Sequence, residues 1–154
     1  MKKTITILLC LFAMLLTLFS GCAAKEPDTS LSAILSEIRE KTGITDGLVL
    51  TDADLLELYG IEPADVADHA CLSSMNGIFP DEILMLRAAN EDALLRIQEK
   101  LDRRLSEVLN QSKSYDAASY AVAQKCRVDV RGLYIALFVS GQHEDMTRLY
   151  DAHY

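Results

Sequence analysis

The spacing of apolar and polar positions divides most of the chain into helices and strands. Residues 30–43 repeat apolar side chains at helical spacing, and Ser30 can cap the start of that helix. A shorter helix follows at residues 51–60, where Thr51 and Asp54 have the spacing of a capping box. The pattern therefore predicts two helices before the first strand.

Two pairs of strands are predicted, one on each side of a long helix. The runs of the first pair are residues 66–75 and 82–88, and those of the second pair are residues 126–130 and 133–140. Between the pairs, residues 91–110 carry apolar side chains along one continuous helical stripe. The run 82–88 is apolar on both faces, which is typical of a central strand covered on both sides.

The order of these elements indicates the fold class. A last helix is predicted at residues 142–152, opened by His143, Glu144 and Asp145, whose acids suit the positive end of the helix dipole. Strand pairs separated by a helix favour an α+β fold. We expect a four-stranded, largely antiparallel sheet in β-β-α-β-β-α order, covered by the long helix and preceded by two N-terminal helices.

The first 21 residues have the pattern of an export signal. Two lysines precede the almost wholly apolar residues 4–19, and the small residues Ser20 and Gly21 stand before Cys22. The apolar run is shorter than the roughly 20 residues of a spanning helix, and no positive cluster follows it. A cleaved signal is therefore favoured over a permanent transmembrane anchor.

The segment Leu18-Phe19-Ser20-Gly21-Cys22 resembles the bacterial lipobox, in which the cysteine after the cut is alkylated with diacylglycerol. Phe19 departs from the motif, which usually carries Leu there. The resemblance implies a lipoprotein signal peptide at residues 1–21, a lipidated Cys22 and a tether at residues 22–29. It also implies a location on the outer face of the cytoplasmic membrane. The alternative is a plain secretory signal with a coincidental cysteine.

The charge and length of the mature chain exclude several classes of function. Removal of residues 1–21 leaves 13 Lys and Arg against 23 Asp and Glu, a net charge near −10. Such a surface is a poor partner for nucleic acid, which is polyanionic. Residues 30–154 are enough for a single α+β domain and too few for a two-lobed solute-binding protein.

Cys71 and Cys126 are the thiols that remain in the mature chain once Cys22 is lipidated. Alternation along the first strand places Val66 and Leu72 on one face and Cys71 on the other. Cys126 alternates with apolar residues of a different strand, on a face that does not suit a bond to Cys71. We expect two unlinked, mostly buried thiols in preference to a disulfide.

Two pairs of residues are weak candidates for chemistry. His69 and Cys71 are two apart, hence on one face of a strand, and a third ligand could complete a zinc or copper site. Asp81 and Glu82 could act as a cation or acid/base pair, although neighbours on a strand point to opposite faces. The sequence shows no further ligand pair, no glycine-flanked nucleophile and no phosphate-binding loop, so no cofactor is expected.

Three short motifs occur together in order. They are Leu50-Thr51-x-Ala53-x-Leu55-x-Glu57-Leu58-Tyr59-Gly60-Ile61, then Pro80-Asp81-Glu82-Ile83 before an apolar strand, then Gly132-Leu133-Tyr134 before another. In this arrangement the chain resembles the domain of unknown function 4358 over roughly residues 30–154, with Ala117 where many members carry proline. Members of that family look like small lipoproteins of Gram-positive bacteria. No activity is known for them, so the resemblance implies no catalytic residue.

The favoured hypothesis is a membrane-anchored extracytoplasmic lipoprotein that acts as a non-catalytic binding or accessory module. Its contacts would be the membrane, through the lipid on Cys22, and an envelope protein or a small molecule. The alternative is a small envelope enzyme or metal-binding protein that uses His69 and Cys71, or Asp81 and Glu82. A deep polar pocket that gathers two of these side chains would favour the alternative.

Overall fold

A five-stranded antiparallel sheet forms the centre of the protein, in a computed structural model that describes residues 26–74, 79 and 81–154. The strands are β1 (Leu48–Val49), β2 (Val66–Ser74), β3 (Asp81–Ala88), β4 (Val128–Arg131) and β5 (Tyr134–Val139). They lie in the order β1-β2-β3-β5-β4, and every neighbouring pair is antiparallel. The α+β class and the antiparallel sheet are therefore as predicted.

Helices cover both faces of this sheet. In the described part of the chain they are α1 (Leu31–Thr42), α2 (Asp52–Tyr59), α3 (Glu91–Tyr115), α4 (Ala117–Ala123) and α5 (His143–Asp151), with a 3₁₀ turn at Pro63–Asp65. Helices α2, α3 and α4 pack on one face, and α1 and α5 pack on the other. The long helix α3 therefore covers one face only, and the molecule has three layers.

Strand β3 supplies side chains to both interfaces between the layers. Leu84 and Leu86 point toward α3, whereas Ile83 and Met85 point toward α1 and α5, and all four side chains are fully buried. Alternate residues of a strand face opposite sides of a sheet, so a strand buried on both sides must be apolar throughout. This confirms the interpretation of the apolar run before the long helix as a central strand.

The helix starts follow the predicted capping chemistry. The Ser30 hydroxyl accepts a hydrogen bond from the Ala33 amide at 3.2 Å at the start of α1. At the start of α2, the Asp54 carboxylate accepts from the Thr51 amide at 2.8 Å, while the Thr51 hydroxyl accepts from the Asp54 amide at 3.3 Å. These bonds satisfy amides that the first turn of a helix leaves unpaired.

The prediction of four strands is wrong, because the short strand β1 adds a fifth. Leu48 pairs with Ser73 and Val49 with Leu72 at the edge of the sheet. Both β1 side chains are exposed, so a strand of two residues leaves no alternation of buried and exposed positions to detect. Gly47 has φ 119°, and a Cβ there would lie 2.9 Å from the Leu72 side chain, so this close approach to β2 requires glycine.

The prediction that α3 ends near Asn110 is also wrong, since the helix continues to Tyr115. The polar residues that suggested a break are accommodated within it: the Ser112 hydroxyl donates to the Val108 carbonyl at 2.7 Å. The helix ends instead at Asp116, whose side chain accepts from the Ser119 amide at 2.8 Å and so begins α4. A serine that bonds back to its own helix does not end it.

The predicted face of Val66 is wrong because β2 contains a β-bulge. The register shifts between Val66 and Asp68, which moves Val66 to the α3 side of the sheet, where Cys71 also lies. An extra residue in one strand reverses the face of every residue before it. Ala70 and Leu72 lie on the α1 side, opposite Cys71, as the alternation predicts.

Some sequence predictions fall on residues outside the described part of the chain. They are the signal peptide, Cys22, the first half of the tether and the last residue of the predicted strand 66–75. Within residues 26–74, 79 and 81–154, no helix combines the length and apolar character needed to cross a membrane.

A cluster that we call the His153 clasp joins the segment before α1 to the segment after α5. The His153 ring lies between two carboxylates, with Nδ1 2.7 Å from Asp28 Oδ1 and Nε2 2.9 Å from Glu37 Oε2. The Asp28 amide also donates to the His153 carbonyl at 3.0 Å. The chain that leads toward Cys22 is thus fixed beside the end of α5.

The His153 clasp should make stability depend on pH. The Asp28 carboxylate, and then that of Glu37, raise the pKa of His153 above its ordinary value, because both stabilise the charged ring. A raised folded-state pKa gives a contribution that is complete below the unfolded pKa of about 6.5 and is lost as pH rises through the folded value. The difference in unfolding free energy between wild type and His153→Gln should therefore be largest near pH 5.5 and shrink toward pH 9. Urea titrations across this range measure it.

The carboxylate variants provide the control for this prediction. Asp28→Asn should reduce the pH dependence more than Glu37→Gln, since Asp28 makes the larger contribution to the pKa shift. A stability difference between wild type and His153→Gln that stays constant across the pH range would contradict a charged clasp.

Candidate functional site

His69 and Cys71 lie on one face of β2, as predicted, but they do not form a shared site. His69 Nε2 is 3.0 Å from Asp52 Oδ1 at the start of α2. The Cys71 thiol is fully buried and donates to the Met85 carbonyl across β3 at 3.6 Å. Within residues 26–74, 79 and 81–154, no three His, Cys, Asp or Glu side chains converge in a way that could hold a metal ion.

The two described thiols are free, as predicted, but Cys126 is placed differently from the expectation. Cys126 lies in the turn after α4 rather than in a strand, and its thiol donates to the Val122 carbonyl at 3.6 Å. Burial raises the pKa of the Cys71 thiol to about 12, because a thiolate is disfavoured away from water. Neither thiol therefore has the exposed, thiolate-stabilising environment of a reactive cysteine.

Asp81 and Glu82 point to opposite faces of β3, as neighbours on a strand should. The Asp81 carboxylate accepts a hydrogen bond from the Ser140 hydroxyl at 2.5 Å. Glu82 is buried on the α3 side and is held by the guanidinium of Arg104, with Nε 3.1 Å from Oε2 and a second contact to Oε1. The two carboxylates therefore lie on opposite sides of the sheet and cannot act on one ligand.

The Glu82–Arg104 ion pair belongs to a buried polar group beneath α3. Burial and the nearby charge of Glu82 raise the pKa of Tyr59, whose hydroxyl bonds to the Ser73 side chain. The bond to Glu82 also raises the pKa of Arg104. Because each charge has a partner, the group joins α3 and α2 to the sheet and leaves no charge available to a ligand.

A groove at the edge of the sheet brings together residues that the sequence analysis did not combine. We call it the α5 groove; its volume is about 590 Å³, within the range of small-molecule sites. It lies between α5 and the edge strand β4. Its lining residues are Lys125, Arg127, Val128, Asp129, Phe138, His143, Glu144 and Thr147.

His143 opens α5 as predicted, and its burial is a feature that the sequence analysis did not anticipate. Glu144 and Asp145 occupy the first helical turn as predicted, but His143 is buried against the α5 groove. Burial lowers the pKa of His143 below its ordinary value, and the opposing effect of Glu144 is smaller. The ring is therefore a neutral polar wall of the groove at neutral pH.

The charged side chains around the α5 groove are unequally paired. Asp129 accepts two hydrogen bonds from the Arg131 guanidinium, at 3.0 and 3.2 Å. Lys125 Nζ lies 3.8 Å from Glu144 Oε1, between two exposed side chains. Arg127 is exposed and has no ion pair among the described residues. The lining therefore carries two cations and two carboxylates, and Arg127 is the cation among them without an ion pair in the described part of the chain.

The comparison with protein families gives a match to the domain of unknown function DUF4358 over residues 43–140. This match covers more than half of the chain. The chain belongs to the DUF4358 family. The searches of curated proteins and of solved structures return no match.

The DUF4358 match covers only part of the three-layered structure. It spans all five strands together with α2, α3 and α4, and it leaves out α1 and α5. The Glu82–Arg104 pair therefore lies within the DUF4358 region. The α5 groove has one wall inside that region, at β4 and β5, and one outside it, at α5. The His153 clasp lies wholly outside it.

Loss of one partner of the Glu82–Arg104 pair should strongly destabilise this DUF4358 chain. Glu82→Gln leaves the partly buried guanidinium with only its 3.4 Å contact to the half-exposed Glu107, so we expect a loss of about 3 kcal/mol in the free energy of unfolding. Replacing both residues by leucine should recover much of that loss, because neither charge then remains buried. Urea denaturation of the two variants measures both effects.

A matched control is available on α5. Asp145 and Arg148 form an ion pair whose side chains are 55% and 76% exposed. Asp145→Asn should change the free energy of unfolding by no more than about 0.5 kcal/mol. If Glu82→Gln has an effect as small as that control, the pair does not hold α3 to the sheet.

Proposed function

We propose that this protein is a lipoprotein of the outer face of the cytoplasmic membrane that acts as a non-catalytic binding module. Residues 1–21 form its signal peptide, Cys22 carries the lipid, residues 22–29 form the tether and residues 30–154 form one domain. The lipobox-like sequence before Cys22 supports the anchor. The α5 groove supports binding.

The placement of the α5 groove relative to the tether is the observation that carries the proposal. The His153 clasp fixes the tether-proximal residue Asp28 at the end of the sheet where β5 begins, while the groove lies where β5 ends. The six residues of β5 span about 20 Å at roughly 3.3 Å per residue. A domain held at Asp28 therefore presents the groove away from the lipid surface.

The chemistry of the groove lining favours binding over covalent catalysis. The hydroxyl of Thr147 donates to the His143 carbonyl at 2.8 Å, so it is engaged within its own helix. Burial lowers the pKa of His143, so its ring is able to accept a proton, but the Thr147 hydroxyl does not donate to that ring, and Asp129 is paired with Arg131. The lining thus lacks a nucleophile oriented by a base, which is the arrangement that acyl or phosphoryl transfer requires. No specific observation favours the enzyme or metal-binding alternative.

The anchor is tested by the intact mass of the protein extracted from the membranes of a Gram-positive host. We expect a chain that starts at Cys22 and carries a diacylglycerol group, since the thiol after the cut is the site of alkylation. Cys22→Ala should lack the lipid mass. A wild-type mass without lipid, or one that starts at another residue, would rule out the anchor.

The orientation is tested by energy transfer to acceptor-labelled lipids in vesicles that carry the anchored protein. Donor dyes are attached at Gln124→Cys, near the α5 groove, or at Ala152→Cys, beside the His153 clasp, both in a Cys126→Ser background. We expect more transfer from position 152 than from position 124, because the clasp holds that end toward the lipid. His153→Ala should reduce the difference. With the clasp intact, equal energy transfer from positions 124 and 152, or more transfer from position 124, would contradict the proposed orientation of the domain.

A further inference from the structure

The His153 ring has a carboxylate at each of its two nitrogens. Nδ1 lies 2.7 Å from Asp28, which precedes α1, and Nε2 lies 2.9 Å from Glu37 within α1. A neutral imidazole carries one N–H, so it can donate to one of these carboxylates and directs a lone pair at the other. A charged ring carries two N–H groups and can donate to both. The hydrogen bonds of the His153 clasp are therefore complete only when the ring is protonated.

His69 has a contrasting arrangement. Its Nε2 lies 3.0 Å from Asp52, and its Nδ1 is buried with no hydrogen-bond partner in the described part of the chain. One N–H is enough for a single carboxylate, and a proton on Nδ1 would add a buried donor without an acceptor. The neutral ring therefore suits position 69, whereas the charged ring suits position 153.

The other titratable groups beside the clasp do not compete for this proton. Asp151, at the end of α5, is paired with Arg131 at 2.5 Å. The Tyr154 hydroxyl donates to the Tyr150 hydroxyl at 2.9 Å, and burial raises the pKa of both tyrosines. Both therefore stay neutral over the range in which histidine titrates. The two carboxylates of the clasp are the groups that stabilise the charged His153 ring.

The clasp is the main attachment of the segment before α1. Residues 26–30 are exposed or half-buried, and the apolar core of the described chain begins at Leu31. Helix α1 itself is held by buried apolar side chains, which are those of Leu31, Ile34, Leu35 and Ile38. A weakened clasp should therefore free the segment without loosening the helix, since local opening begins where few apolar contacts are buried.

We propose that the His153 clasp is a pH-dependent switch in the attachment of the domain to its lipid anchor: the charged ring holds residues 26–29 against the end of α5, and loss of its proton releases them. This inference rests on the proposed function and adds its regulation. The closed clasp fixes Asp28, six positions after Cys22, whereas α1 alone fixes Leu31, nine positions after it. Three more residues let the domain lie up to about 10 Å farther from the lipid, at roughly 3.5 Å each.

Amide hydrogen exchange, followed by NMR in the lipidated protein in nanodiscs, tests the release. The Asp28 amide donates to the His153 carbonyl at 3.0 Å, so its protection reports the closed clasp. After correction for the intrinsic pH dependence of exchange, this protection should fall by at least about threefold as pH rises, the effect of losing one partly exposed ion pair. The transition should lie above the ordinary histidine pKa of about 6.5, because the carboxylates raise the pKa of His153. The Ile34 amide, which donates to the Ser30 carbonyl within α1, should keep its protection.

Three variants identify the group that controls the transition. His153→Gln removes the charge and should leave Asp28 weakly protected at every pH. His69→Gln is the matched change at the histidine with one carboxylate, and it should keep the wild-type transition. Glu37→Gln should move the transition to lower pH, since a group that stabilises the charged ring is lost. A transition that persists in His153→Gln, or an equal loss of protection at Ile34, would overturn the switch.

Energy transfer to the labelled lipids, repeated across the same pH range, separates this inference from the proposed function. The difference between the donors at positions 152 and 124 should shrink through the pH at which Asp28 loses protection. A difference that stays constant through that transition would overturn the control of orientation by the clasp. Equal transfer from both positions even at low pH would refute the proposed orientation, whereas the exchange of the Asp28 amide decides the switch independently.

Discussion

Burial of β3 on both faces is the constraint on which the rest of the structure depends. A strand with Ile83 and Met85 on one side and Leu84 and Leu86 on the other cannot leave either side to water, so two helical layers are required. The helix α3 closes one side, and α1 with α5 closes the other. The apolar sequence of one central strand therefore requires two helical layers. In this fold one of them is formed by α1 and α5, which come from the two ends of the described chain.

The Glu82–Arg104 pair shows the cost of that arrangement. Glu82 is the second residue of β3, where the α3 layer already covers the sheet, and its carboxylate is held there by Arg104. A buried pair of this kind adds little net stability relative to apolar residues, but loss of one partner is expensive. The pair helps to fix the position of α3, together with the two bonds from Arg96 to Asp65 and the bond from Arg103 to the Tyr59 carbonyl.

The meeting of α1 and α5 also explains where the groove and the clasp lie. Helix α5 runs back along β5, so its first residue, His143, lies at one end of the sheet and the residues after it lie at the other. The tether-proximal Asp28 reaches the second end, because α1 is packed beside α5. The packing of α1 beside α5 therefore places the α5 groove and the His153 clasp at opposite ends of β5.

Sequence patterns predicted the elements whose apolar and polar side chains repeat at helical or strand spacing. These elements make up most of the fold. The capping box at Thr51 and Asp54 and the double-sided apolar run of β3 each depend on neighbours in sequence. The missed features depend on something else. Strand β1 has only two residues, both exposed, so it shows no alternation of buried and exposed positions. The end of α3 depends on whether the Ser112 hydroxyl bonds to the Val108 carbonyl within the helix or caps the segment that follows. The bulge near Val66 shifts the register of the strand by one residue. Such a shift changes the face on which a residue lies and leaves the composition of the strand unchanged.

The groove was beyond sequence reasoning for a different physical reason. Arg127 and His143 are unremarkable where they stand: one is an alternate residue before an edge strand, and the other opens a helix. Their relation arises only because β5 returns the chain along β4 and α5 then folds back over it. Charge pairing adds a second condition, since Asp129 on β4 shares the Arg131 guanidinium with Asp151 at the end of α5. The groove and the pairing of its charges are therefore properties of the folded hairpin and of α5, and not of the local sequence.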